Sequence, residues 1–177
     1  CIFMILIFSS LSQANTNPNA TIIPVANTTL EGYDLHHPEI SPNDSLIAFS
    51  ASEKGSWRKC TIWIYEVASG KSRQVTSEDS TMVWGDVLTR WSPDMTQLAF
   101  TSDRGGESHA YVADISSGAI KKLTKTSLSG NIWMNRVAWS PDGTKIIVSL
   151  NNGTGDNLSY IDAKTGDHTK LSDFTEK

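Results

Sequence analysis

Beyond residue 34 the apolar positions come in short runs, each fenced by Ser, Pro, Asp, Asn or Gly. Leu46-Ile47-Ala48-Phe49-Ser50, Leu98-Ala99-Phe100-Thr101 and Ile146-Ile147-Val148-Ser149 stand at matching places in three such stretches. Each is followed by a second run (residues 62–67, 110–115 and 158–163) and by a short edge-like segment (73–76, 121–124 and 169–172). A further short run precedes each set, at about 35–40, 87–91 and 136–139. Runs this short, bounded by turn residues, predict β-strands, four to a unit.

The punctuation repeats with the strands. Ser41-Pro42-Asn43, Ser92-Pro93-Asp94 and Ser140-Pro141-Asp142 recur at intervals of 51 and 48 residues, preceded by Ile40, Trp91 and Trp139. Proline in second place presets φ for a type I turn, with Ser as its first residue. Gly143 closes the third turn, whereas Asp44 and Met95 stand where the first two lack glycine. Ser69-Gly70, Ser117-Gly118 and Thr165-Gly166 supply the positive φ of tight hairpins. Four antiparallel strands in a unit of about 48 residues, written three times, predict an all-β fold of propeller blades, at about 34–76, 86–124 and 134–172. A β-sandwich needs no motif repeated at fixed offsets. Three blades do not close a ring, so the chain is expected to be part of a six- to eight-bladed propeller.

The N-terminus breaks the pattern. Residues 1–8, CIFMILIF, are uniformly apolar and lead into small residues, with Ser12 and Ala14 at the −3 and −1 places of a signal-peptide cleavage site. The run is too short for a membrane span of about 20 residues, and Cys1 lacks the polar linker that follows a lipidated cysteine. Residues 1–14 therefore read as a signal peptide truncated at its start, 15–33 as a linker rich in Asn, Thr and Pro, and 34–177 as a partial propeller. The expectation is an exported protein, periplasmic or extracellular, with no transmembrane span in the mature chain.

Composition narrows the partners. A net charge of −4 argues against a phosphate-binding surface as the main function, so no nucleic acid is expected. Twenty-three Ser and 17 Thr suit short strands and turns rather than long surface helices. Processing after Ala14 would leave Cys60 alone, without an intramolecular disulfide.

The string of an apolar residue, Trp139-Ser140-Pro141-Asp142-Gly143, an Ile-Ile-Val strand, Tyr160-Ile161-Asp162, Thr165-Gly166 and Lys170-Leu171-Ser172 resembles the WD40-like PD40 repeat. It is similar to the propeller of the TolB family and to propellers preceding the catalytic domain of prolyl-oligopeptidase-type serine peptidases. The resemblance covers about residues 34–173. A TolB carries an α/β domain before its propeller, for which the linker here is too short, so it implies a TolB-like protein and not TolB itself. It further implies a non-catalytic exported scaffold that binds a protein or envelope component. The alternative is a propeller gating a peptidase domain absent from this chain.

Candidate chemistry follows from repetition. Glu66, Asp114 and Asp162 occupy one place in all three units, which points to turn capping rather than to a carboxylate ring. Trp91 and Trp139 fall in the repeat and are expected as wedges between blades. Loops 53–60, 103–109 and 151–157 are expected to share a face with the blade-to-blade segments 77–86 and 125–134. That face would carry Trp57, Arg58, Trp84, Arg104 and Trp133, residue types that anchor interfaces. The tryptophans have an equal alternative as covers for the blade junctions. His36, His37, His109 and His168 lack metal-ligand spacing, and no G-x-S-x-G occurs. Neither a catalytic residue nor a metal or cofactor is expected within this chain.

Overall fold

The structure, a computed structural model, describes residues 30–128, 136–151 and 156–171. Twelve strands and no helix are found among the described residues. Blade 1 holds β1 (Tyr33–Ile40), β2 (Leu46–Glu53), β3 (Thr61–Glu66) and β4 (Lys71–Gln74). Blade 2 holds β5 (Asp86–Trp91), β6 (Gln97–Ser102), β7 (His109–Asp114) and β8 (Ile120–Lys122). Blade 3 holds β9 (Ala138–Trp139), β10 (Lys145–Asn151), β11 (Asp156–Asp162) and β12 (His168–Lys170). Each blade is a four-stranded antiparallel meander in sequence order, and β1 and β5, the first strands of adjacent blades, lie against one another.

The three Ser-Pro-Asx turns are built alike. In each, the serine hydroxyl donates to the Asx side-chain oxygen (Ser41 to Asn43, 3.0 Å; Ser92 to Asp94, 2.6 Å; Ser140 to Asp142, 2.6 Å). The same hydroxyl accepts the amide that opens the next strand, from Leu46, Gln97 and Lys145, at 2.9, 3.0 and 2.9 Å. The Ser140 hydroxyl, together with the amide and hydroxyl of Thr144, holds the Asp142 carboxyl down at about 2. The fourth turn residue is left-handed in every blade: φ is 60° at Asp44, 61° at Met95 and 70° at Gly143. The turn imposes that conformation whether or not glycine supplies it, so Asp44 and Met95 carry strain that Gly143 does not.

Two of the second hairpins have a carboxylate that caps turn amides as expected. Asp114 accepts the amides and hydroxyls of Ser116 and Ser117, which hold its carboxyl at about 2. Asp162 accepts the amides of Lys164 and Thr165, and Glu66 accepts the Ser69 hydroxyl.

Alternation along the second and third strands gives each blade two apolar faces. Leu98, Phe100, Tyr111 and Ala113 of blade 2 form one core with Ala48, Ile62, Ile64 and Val75 of blade 1. The opposite positions, Ala99, Ala110 and Val112, form a second core with Ile146, Val148 and Ile161 of blade 3. Trp91 and Trp139 sit in these seams as expected: the Trp91 indole donates to the Glu39 carbonyl at 3.0 Å, and that of Trp139 to the Arg90 carbonyl at 3.1 Å.

Asp44→Gly is expected to stabilise the protein by about 0.5–1 kcal/mol by relieving the left-handed residue. Met95→Gly should gain less or lose, because Met95 also packs against the blade 1–blade 2 core. Urea denaturation of the two variants checks the pair.

Candidate functional site

Loops at one end of blades 1 and 2 are laced together by their main chains. Cys60 and Gly85 form a parallel bridge, with the Cys60 amide on the Trp84 carbonyl at 2.9 Å and the Asp86 amide on the Cys60 carbonyl at 2.8 Å. Gly85 has φ 94°, and a Cβ there would stand 2.3 Å from the Cys60 amide nitrogen, so only glycine fits. The Asp103 carboxylate, largely buried, accepts three successive amides from the other side: Val83 (3.0 Å), Trp84 (2.9 Å) and Gly85 (2.8 Å). Between the two fastenings the backbone that carries Trp84 has little freedom.

Four of the expected side chains share this end. Trp57 is 53% exposed and stacks on His36 with ring centroids 4.0 Å apart. Trp84 is 37% exposed, with the Arg58 guanidinium 5.7 Å from its ring centroid. Arg104 belongs to the same end but turns inward. Its side chain is 13% exposed and pairs with the fully buried Asp86 at 2.5 Å, while the guanidinium lies 5.8 Å from the Tyr111 ring centroid. Burial pushes the Asp86 carboxyl up, and Arg104, Ser102 and Thr76 draw it back. Leu35 occupies the corresponding place in blade 1, which therefore lacks the acid half of this pair. Trp133 lies outside the described residues, as do residues 152–155 of the third loop. The Cys60 thiol is buried and pushed up to about 11, which leaves it unreactive as a nucleophile.

A second group was missed by reading loops alone. On the first strands, Glu39 and Arg90 pair across the blade 1–blade 2 seam at 3.1 Å, each side chain about one-third exposed. Burial raises the Glu39 carboxyl above its ordinary value, against Arg90 and Arg136, which lower it. Burial and the charges of His36, Arg136 and Arg90 hold the His37 imidazole below its ordinary value. Both β1 and β5 slip register here, between His36 and Glu39 and between Val87 and Arg90, with left-handed residues at His37 (φ 50°) and Leu88 (φ 57°). The signal was available in the repeat: two and four residues before the serine of the turn, the units read Glu39, Arg90, Ala138 and His37, Leu88, Arg136. Those places change their chemistry while the turn beside them does not.

With blades, seams and turns described, one comparison decides the family. The pattern of the TolB beta propeller domain, PD40, matches residues 24–177. The chain belongs to the TolB beta propeller family. A Bacillus subtilis protein described as uncharacterized peptidase YuxL is 32% identical over 126 residues, which are 68% of this chain and 18% of that protein. Among solved structures, TolB from Acinetobacter baumannii superposes with a TM-score of 0.62 at 21% identity, covering 78% of this chain and 32% of that one. A puromycin-hydrolyzing peptidase from Mycobacterium tuberculosis gives 0.60 at 19% identity, covering 78% and 22%. These two likenesses show the PD40 fold alone, and this chain spans less than a fifth of the curated relatives it matches.

Two outcomes follow from this end of the propeller. Arg104→Ala should cost about 3–5 kcal/mol, because it strands Asp86 in the interior, and adding Asp86→Leu should restore most of it; chemical denaturation of the single and double variants reads both. Burial also lowers the imidazoles of His36, His37 and His109. The unfolded chain then binds protons that the folded one refuses, so their contribution is complete above about pH 6.5 and is lost as pH falls below it. The raised carboxyls of Glu39 and Asp86 act with opposite sign, gaining stability on protonation in more acid solution. The melting temperature is expected to fall between pH 7.5 and 5.5, and His109→Asn, which copies Asn157 at the same place in blade 3, to flatten that fall.

Proposed function

We propose that this PD40 propeller is a non-catalytic recognition module of an exported, periplasmic or extracellular protein, whose loop face docks on a protein or envelope component. One observation carries the reading: Trp57 and Trp84 stand exposed at the same end, with Arg58 over Trp84, on a backbone fastened from both sides. Exposed indoles beside a guanidinium on a rigid support are the residue types that dominate protein interfaces, because little side-chain freedom is lost on docking. Arg104 supports this face from beneath rather than meeting the partner. Among the described residues no group of three or more His, Cys, Asp or Glu is placed to hold a metal ion, and no helix is long and apolar enough to cross a membrane.

The test is binding of the full-length protein to a partner isolated from the envelope fraction. Trp57→Ala and Trp84→Ala are each expected to weaken it about 10- to 30-fold, equivalent to about 1.4–2 kcal/mol, with the melting temperature held. Lost stability with intact binding would instead make the tryptophans covers of the blade junction.

A second reading has its own support in the 32% identity to a protein described as a peptidase. On it, the propeller stands before a serine peptidase domain and controls access to that domain. The full-length reading frame separates the two: a downstream strand–G-x-S-x-G–helix segment with peptide hydrolysis supports the peptidase, and further Ser-Pro-Asp blades followed by a stop support the scaffold. Hydrolysis mapped to residues 1–177 would overturn both.

A further inference from the structure

We propose that the first strands of the blades form a binding site for a carboxylate-bearing ligand, gripped by Arg90 and Arg136 beside His37, with Glu39 occupying part of that grip when the ligand is away. The site is built from first-strand side chains and not from the loop indoles, although Trp57 stacks on His36, the neighbour of His37, so each is tested by its own variants.

Trp91 clamps the Glu39 carbonyl and Trp139 clamps the Arg90 carbonyl, so the two residues whose side chains pair are held at their main chains by separate seams. Among the described residues the Arg90 guanidinium donates from Nη1, to Glu39 Oε2 at 3.1 Å and to the Thr89 carbonyl at 2.8 Å. A guanidinium offers five donors in a planar fork, and Nε and Nη2 remain for a second acceptor. Glu39 shows that a carboxylate fits against Arg90 in this place. Arg136 is exposed, holds in blade 3 the place that His37 holds in blade 1, and its charge acts on both Glu39 and His37.

Charge selects the ligand class. Two guanidiniums, one carboxylate and an imidazole kept neutral by its surroundings leave one positive charge in excess. A monoanion balances it, whereas a phosphate dianion overshoots it by one charge. The bulge shared by β1 and β5 puts a left-handed residue at one place in both strands, and in β1 that residue is His37, where blade 2 has Leu88. The places that carry His37, Glu39, Arg90 and Arg136 are among those at which otherwise similar units differ in charge.

The test uses the full-length protein and isothermal titration with two probes, glucuronate and an N-acetylated, C-amidated tetrapeptide with a single Asp. Controls are glucuronamide, the Asn counterpart of the peptide and inorganic phosphate. Binding by either acidic probe, with neither amide control bound, supports the site, and the preferred probe tells a sugar acid from an acidic peptide. Arg90→Gln and Arg136→Gln are each expected to weaken binding about tenfold or more. Arg90→Lys, which keeps the charge but loses the fork, should weaken it less than Arg90→Gln. Glu39→Gln is expected to tighten binding several-fold, because the internal competitor is gone, and a merely structural pair would not give that gain. The proposal is overturned if neither acidic probe binds the wild type, if phosphate binds as well as the carboxylates, or if Glu39→Gln weakens binding in a protein that melts as the wild type does.

Discussion

Each of the second and third blades is held to its predecessor by an indole that reaches across the seam to a main-chain carbonyl of a first strand, Trp91 to Glu39 and Trp139 to Arg90. The bond satisfies the one polar atom of a large apolar side chain, which lets the rest of the ring enter the core. Room for it comes from the small residues of the blade it meets. Trp91 shares its core with Ala48, and Trp139 packs against the core that contains Ala99. Large against small at a fixed place in the repeat sets how closely sheets approach, and the turns, the second strands and the loop end take their positions from that spacing.

Most of this frame could be read from the chain because it is local and repeated. The Ser-Pro-Asx turn needs only residues within five positions of one another, and so do the caps at Asp114 and Asp162. The wedge role of Trp91 and Trp139 was legible because both precede the same turn. What could not be read was direction. Arg104 and Arg58 look equivalent as loop arginines, yet one turns inward to Asp86 and the other lies over Trp84. That choice depends on Asp86 being an acid where blade 1 has Leu35, a contact across 18 residues that no local rule reports.

The cluster around Glu39 and Arg90 was hidden for a different reason. Its members are 51 residues apart and meet only because two blades pack, and His37 is placed by a bulge that periodicity does not show. Comparing the units with one another would have found it. In a repeat protein the invariant positions describe the frame, and the positions that change their chemistry against it are where individual blades differ in what they can bind.

Asp103 has a consequence for how this surface can vary. It holds residues 83–85 through their amides and asks nothing of their side chains except the missing one at Gly85. A substitution at 83 or 84 therefore changes what the loop offers while leaving its fastening intact. The frame and the recognition surface are written in separable parts of the sequence, and related propellers can diverge in specificity along this loop without rebuilding a blade.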